Sequence, residues 1–351
     1  MTDQLNQDTR ALWVRRIIPQ TPDTKTFVLE PVDGRPIQYT PGQFLTFLFT
    51  RENGNEARRN YSISSTPFSE DSLTITVKRI PNGEYSRWFI DLVKEGDKLL
   101  TIGASGFFTL PDDRNAFDQL VFFAAGSGIT PVYSLIKSVL FNDNDTHIVL
   151  IYSNTSVENT IFYQQLKALQ KQFHERFHIE FLFSNATSVL HKRLGIYLLE
   201  KLINHYLTTP LSTQFFYLCG PFEYMRMITI VLKNNGVASS HIRKEIFTIE
   251  EPIYQPQPPD KESHTVTVLI RQTEFSFQTQ YPHTILHTAK ALKINLPYSC
   301  ESGQCGTCAA TCISGKVWMS RNDVLMDDEL AKGRVLTCTG YAVSGDIRLA
   351  Y

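Results

Sequence analysis

Cys300-Glu301-Ser302-Gly303-Gln304-Cys305-Gly306-Thr307-Cys308 places three thiols on one short stretch, spaced C-x4-C-x2-C, and a fourth lies further on in Val335-Leu336-Thr337-Cys338. This pattern suits two bridged irons. They need four thiolates: one tight loop can wrap three of them around the pair, and a distant segment must close the cage with the fourth. Gly303 and Gly306 let such a loop turn sharply and bring its amides toward sulfur. The alternative is a structural zinc site, which usually pairs two short knuckles, whereas only Cys305–Cys308 forms one here. The chain has six cysteines. Their crowding in a long chain without a secretory stretch argues for a metal site before a disulfide framework. Cys312 lies outside the pattern and is expected to be a buried, small apolar residue.

Working outward, the cysteines belong to a small C-terminal stretch, 264–351. It is preceded by Glu250–Lys261, which holds four prolines and little that could form a core. Residues 250–263 therefore read as a semi-extended linker. From 114 to 249, apolar strand candidates (Gln119–Ala124, His147–Tyr152, His178–Phe183, Gln214–Leu218) alternate with helix candidates (Pro131–Leu140, Thr160–Gln172, Gly195–Tyr206, Phe222–Asn234). That alternation predicts an α/β domain with a parallel sheet. From 8 to 113, short β-like runs (Leu12–Ile18, Thr26–Leu29, Phe44–Phe49, Leu73–Lys78) are separated by turn signals such as Pro41-Gly42 and Asn82-Gly83, and one helix is expected near Tyr85–Lys94. This segment predicts an antiparallel β-barrel or sandwich. The fold class is thus multidomain.

The bulk composition excludes several functions. With 42% hydrophobic and 20% charged residues and a net charge of −1 over 351 residues, the chain has the makeup of a globular protein and no general attraction to nucleic acid or acidic lipid. Its longest apolar runs, such as Leu120–Ala125 and Ile148–Tyr152, are too short to span a membrane. The polar first ten residues do not read as a secretory signal, so a cytoplasmic protein is expected.

Ala124-Ala-Gly126-Ser-Gly128-Ile-Thr130-Pro131 follows an apolar strand and opens a helix. Glycines at such a turn let a dinucleotide approach the backbone and the helix N-terminus, and Pro131 suits a first turn where a missing N–H costs nothing. Other stretches stand out: Arg59-Asn60-Tyr61-Ser62, read as preceding a strand; Val77-Lys78-Arg79 at a strand end; Gly83-Glu-Tyr-Ser86 opening a helix; Cys219-Gly220-Pro221 after the strand at 214–218; and Glu245-Ile-Phe247.

These motifs carry two resemblances. Residues 264–351 resemble the plant-type ferredoxin family, which implies a β-grasp fold and a [2Fe–2S] cluster on Cys300, Cys305, Cys308 and Cys338. The preceding modules resemble the ferredoxin–NADP reductase superfamily. That resemblance implies FAD, with FMN the less common choice. Arg59 would face the flavin pyrophosphate, Tyr61 would lie against the ring system and Ser62 would sit near its N5. Val77, Lys78, Gly83 and Ser86 would lie along the cofactor, with Arg79 as a rival to Lys78. Gly126, Gly128, Thr130, Pro131, Cys219 and Gly220 would receive NADPH or NADH. Glu245 would share a proton path with Ser62, and Phe247 would lie near the flavin. The plainer readings are a buried cysteine before a turn for Cys219 and a surface carboxylate for Glu245. The stretch Tyr152-Ser-Asn-Thr155 lacks the arginine that many NADPH-using relatives carry there, and the pair Lys192-Arg193 is the remaining cationic candidate.

The module order resembles the reductases of phenylacetyl-CoA epoxidase and of hybrid-cluster proteins. It implies an NAD(P)H-dependent reductase passing electrons through FAD and [2Fe–2S] to a protein electron acceptor such as an oxygenase or hydroxylase. The alternatives are a reductase for a hybrid-cluster or nitric-oxide-handling protein, and a redox-sensing iron–sulfur flavoprotein.

Overall fold

A computed structural model describes residues 9–51, 53–69, 71–113, 116–143, 145–186, 192–207, 210–247 and 256–351. The described residues fall into two compact units, 9–104 with 108–247, and 105–107 with 256–351.

The first unit holds two sheets. Strands β1 (Arg10–Thr21), β2 (Thr24–Pro31), β3 (Phe44–Thr50), β4 (Glu56–Ser62), β5 (Thr74–Lys78) and β6 (Lys98–Ser105) form a six-stranded sheet in the order β4-β3-β6-β1-β2-β5. An antiparallel bridge between Ile63 and Ile75 joins its two ends, so the sheet closes as a barrel. Alternation places Leu12 and Val14, Phe27 and Leu29, Leu45 and Phe47, and Ile75 and Val77 inside. Helix α1 (Glu84–Asp91) adds Phe89, whose buried ring meets those of Phe27, Phe47 and Tyr61 edge-on at 5.3, 5.5 and 4.7 Å. Burying a side chain of that size contributes about 1.5–3 kcal/mol. One expectation is corrected here: Arg59-Asn60-Tyr61-Ser62 does not precede a strand but lies on β4, paired with β3 from Phe44↔Ser62 to Thr50↔Glu56. The run Glu56-Ala-Arg-Arg-Asn lacks apolar alternation because polar residues stand on both of its faces, so only the pairing with β3 reveals it.

The second sheet is parallel, with β7 (Gln119–Ala125), β8 (His147–Asn154), β9 (Phe177–Phe183), β10 (Gln214–Cys219) and β11 (Ile242–Glu245) in the order β11-β10-β7-β8-β9. Helices α2 (Ile129–Asn142) and α3 (Tyr163–Gln172) pack on one face, and α4 (Ile196–Tyr206) and α5 (Phe222–Asn234) on the other. Covered on both sides, β7 and β10 are buried nearly end to end, which is why they read as continuous apolar runs. Helix α3 starts at Tyr163, not at the expected Thr160, because Phe162 takes a left-handed conformation (φ 61°) and stacks its ring on Tyr133 at 4.2 Å. The barrel and this sheet are seamed by Ser134 Oγ donating to the Ser65 carbonyl (2.6 Å), by a Lys137–Asp71 ion pair and by Tyr217 Oη donating to the Thr109 carbonyl (2.9 Å).

The second unit is built on β12 (His264–Ile270), β13 (Thr273–Thr279), α6 (Ile285–Ala291), β14 (Ala309–Met319), α7 (Asp327–Ala331), β15 (Arg334–Leu336) and β16 (Gly340–Ala350). The strand order is β13-β12-β16-β14-β15, with β12 and β16 parallel and the other neighbours antiparallel. Ile285, Leu286 and Ala289 of α6 pack on Val266, Val268 and Leu349, giving a β-grasp arrangement. Of the expected linker, residues 250–255 lie outside the described residues. Its far end is not free chain: Asp260 accepts from the Glu262 amide (2.8 Å), the Ser344 amide (2.6 Å) and His264 Nε2 (2.7 Å), which fastens it to β12 and β16. Proline content hides such an anchor because it depends on a turn of β16 far along the chain. Cys312 is half-buried, not buried as expected, since the bulged stretch of β14 turns its thiol toward the carbonyls of Ser314 and Gly315. Among the described residues, no helix is long and apolar enough to cross a membrane.

Candidate functional site

The cysteine loop runs from α6 to β14, and the fourth cysteine follows β15. Pairing of β14 with β15 (Ala309↔Leu336) carries Cys338 back to Cys308. The four thiols meet as two pairs. Cys305 hydrogen-bonds Cys300 and pulls its pKa down to about 5, while Cys338 does the same to Cys308, lowering it. The donors of each pair, Cys305 and Cys338, are pushed up by the same bonds. The amides of Ser302 and Gln304 point at Cys300 sulfur, and that of Gly303 at Cys338. Gly303 is required where it stands. Its φ is +76°, and a Cβ there would meet the Arg321 carbonyl oxygen at 2.8 Å.

In the first unit, the end of β4 meets the end of β11. Ser62 Oγ donates to Glu245 Oε1 at 3.1 Å, joining residues 183 positions apart. Desolvation pushes Glu245 up to about 8, against the pull of Ser62. Glu245 retains some exposed surface as a residue, but its carboxyl faces inward beside fully buried Cys219, its register partner across β10 and β11. Burial, helped by the Glu245 charge, raises the Cys219 thiol well above its usual range. Phe247, two residues on, leaves 47% of its surface exposed, so its ring is open to a partner.

Arg59 projects outward from β4, its guanidinium 4.6 Å from the Tyr85 ring centre, and pairs with no carboxylate among the described residues. Beneath it the Tyr85 hydroxyl is buried without a hydrogen-bond partner. Val77 lies inside the barrel, whereas Lys78 faces Asp23 (3.5 Å) and Arg79 faces Asp91 (3.1 Å). Ser86 is turned inward: its Oγ accepts from the Ile80 amide and donates to the Gly83 carbonyl, both at 3.1 Å. Gly83 and Ser86 thus shape the loop entering α1.

At the head of the parallel sheet, Gly126–Gly128 form a single tight turn between β7 and α2. A Cβ on Gly126 would meet only open space, whereas one on Gly128 would overlap the Cys219 carbonyl oxygen. Gly128 therefore lets the turn pack against the end of β10 and Gly220. Thr130 Oγ1 ties the turn by donating to the Ser127 carbonyl (2.9 Å), and Pro131 is buried in the first turn of α2. Gly128→Ala is expected to cost about 1–3 kcal/mol through overpacking. It should also raise the KM for pyridine nucleotide, as thermal unfolding and steady-state kinetics would show.

Three family models align with these three sheets: an oxidoreductase FAD-binding domain over residues 14–110, an oxidoreductase NAD-binding domain over 122–229, and a 2Fe-2S iron-sulfur cluster binding domain over 268–343. The chain is ferredoxin–NADP reductase-like, joining an FAD-binding and an NAD-binding domain to a 2Fe-2S domain at its C-terminus. Its sequence is 28% identical over 350 residues to the ferredoxin reductase component of 3-ketosteroid-9-alpha-monooxygenase from Rhodococcus rhodochrous, covering 97% of this chain and 96% of that one. It is 29% identical over 345 residues to a subunit of the 1,2-phenylacetyl-CoA epoxidase from Escherichia coli K12, covering 96% of each. Its fold matches phthalate dioxygenase reductase, described as a modular structure for electron transfer from pyridine nucleotides to [2Fe–2S], with a TM-score of 0.61 at 24% identity over the whole of both chains.

The residues of this reductase fit the groups its domains are built to hold. Two thiol pairs with inward-pointing amides suit two irons, and thiolates are the donors such clusters take. An outward cation above an orphaned buried hydroxyl suits an anionic cofactor at the barrel rim, since a buried hydroxyl left unpaired costs about 1–3 kcal/mol. Tyr85 is the residue that motif reasoning passes over. It stands in Gly83-Glu-Tyr-Ser86, and its spacing four before Phe89 marks it as facing the barrel. What its hydroxyl lacks is visible only through its surroundings.

Proposed function

We propose that this reductase accepts hydride from NADH or NADPH and delivers single electrons through its [2Fe–2S] domain to a protein acceptor, an oxygenase or hydroxylase component. The observation that carries this reading is the Ser62–Glu245 bond beside Cys219, because it joins the FAD-binding barrel to the end of the nucleotide-binding sheet at one point. When bound, FAD supplies the exchange between a two-electron hydride donor and one-electron acceptors. The chain's own residues do the rest. Arg59 and Tyr85 would hold the flavin phosphates, with the loop of Lys78, Gly83 and Ser86 shaping the rim and Val77 packed inside the barrel. Tyr61 and Phe247 would lie near the ring system. Gly126, Gly128, Thr130, Pro131 and Gly220 admit the nucleotide backbone, and Cys219 keeps water from the transfer point. Ser62 and Glu245 hold and move a proton there. Cys300, Cys305, Cys308 and Cys338 hold the cluster.

The named relatives serve a steroid monooxygenase and an epoxidase, so the oxygenase partner is a reading by likeness and its substrate differs from case to case. Domain limits at 8–113, 114–249, 250–263 and 264–351, and a cytoplasmic location, complete the assignment.

The test is anaerobic absorption spectroscopy of the purified protein with NADH or NADPH in parallel. Flavin bands and an iron–sulfur shoulder that both bleach, one nucleotide acting faster, are expected. Fast multiple turnover with one-electron acceptors should follow. Bleaching without turnover would point to a redox sensor, and a protein that neither nucleotide bleaches would overturn the reading.

A further inference from the structure

We propose that Thr337 and Tyr351 form a hydrogen-bonded clamp that sets Cys308 against Cys338 and thereby retains and tunes the [2Fe–2S] group. The inference rests on the reading of those two cysteines as ligands. Thr337 immediately precedes Cys338 and is fully buried. Its amide and its Oγ1 both meet the Cys308 carbonyl oxygen, at 3.3 and 3.1 Å. Tyr351 Oη lies 2.9 Å from Thr337 Oγ1 and 3.5 Å from the same carbonyl. A threonine hydroxyl has one hydrogen to give. With that hydrogen on the Cys308 carbonyl, Tyr351 donates to Thr337, and the three groups form a directed chain in which each proton is used once.

The chain is anchored outside the cysteine loop. The Tyr351 amide donates to the Leu269 carbonyl on β12 (3.0 Å), and the Thr337 carbonyl accepts from the Leu286 amide on α6 (3.0 Å). The core of the domain, and not the loop alone, therefore dictates where the two ligands stand. Buried chains of this kind strengthen one another, and breaking one link strands the rest in a medium of low dielectric. Both side chains act through the Cys308 carbonyl and the backbone next to Cys338, so both are positioning residues. Partners of this kind typically alter metal affinity by about 10–100-fold.

The full-length holoprotein carries the test. Tyr351→Phe, Thr337→Val, Thr337→Ser and the double variant Tyr351→Phe/Thr337→Val are compared for anaerobic cluster bleaching by an iron chelator. The electron paramagnetic resonance signal and midpoint potential of the reduced cluster are recorded alongside. Tyr351→Phe is expected to speed bleaching about three- to tenfold, and Thr337→Val by about tenfold or more, with altered g-values in both. Thr337→Ser should restore wild-type behaviour. The double variant should be no worse than Thr337→Val, because the chain is already cut. Wild-type bleaching and spectra in both single variants, strictly additive effects, or a lowered unfolding temperature with an unchanged signal would each overturn the clamp. Cys338→Ser separates the two levels: if it kept the wild-type signal, the ligand reading itself would fall. If it lost that signal while the clamp variants matched wild type, only the clamp would.

Discussion

Cys305→Ser is expected to abolish most of the iron–sulfur absorption and to cut electron delivery to a protein acceptor by at least about a hundredfold, the upper end of what even outer partners of a metal ligand cost. Flavin reduction by the nucleotide should stay within about twofold of wild type, because Ser62, Cys219 and Glu245 belong to the other compact unit. The physical ground is the pairing of thiols. Cys305 is the partner of Cys300, and a serine hydroxyl is a harder and less acidic donor that leaves one iron short of a thiolate. Stopped-flow absorbance resolves the two half-reactions. Equal losses in both would show that the units do not work in series as proposed.

The second large effect is expected at the seam of β4 and β11. Ser62→Ala should slow flavin reduction by about a hundredfold, within the range general acid–base groups contribute, with nucleotide KM little changed. Glu245 makes the case testable by pH. Burial raises its folded pKa from 4.5 to about 8, so the fold prefers the neutral acid. For a carboxylate shifted upward, stability is full below pH 4.5. It declines as pH rises toward about 8, and the loss is then complete. Glu245→Gln, which mimics the neutral form, should flatten that decline in unfolding temperature. It should also remove a step near pH 8 from the rate of flavin reduction. An unchanged pH profile in Glu245→Gln would assign the step to another group. A Ser62→Ala rate near wild type would leave the hydroxyl a merely structural partner.

Much of this is legible in the sequence because it is local. C-x4-C-x2-C shows itself as spacing, since one loop must wrap the irons. Gly126-Ser-Gly128-Ile-Thr-Pro131 shows itself because a strand-to-helix turn needs those residue types in that order. The alternation of apolar strands and helices from 114 to 249 foretells the parallel sheet, since a strand covered on both faces must be apolar throughout. The signal fails where polar residues stand on both faces of an element for a reason the element does not contain. Strand β4 does not read as a strand because Arg58, Arg59 and Asn60 interrupt its alternation. The end of the expected linker reads as free chain because its anchor, Asp260, answers an amide at Ser344.

By itself, then, the sequence determined the three modules, their order and the residue types offered to flavin, nucleotide and cluster. Those follow from periodicity and short-range spacing. Only the tertiary structure decided which of those residues meet. Glu245 reaches Ser62 because β11 lies at the end of a sheet whose order is not the order of the chain. Ser86 turns inward to close its own loop. Gly128 owes its necessity to the Cys219 carbonyl pressing on the turn. Tyr351 comes to rest on Thr337 because β16 pairs with β12 and β14 at the centre of its sheet. Contacts between distant segments depend on how strands are ordered and registered, and no window of sequence contains that information.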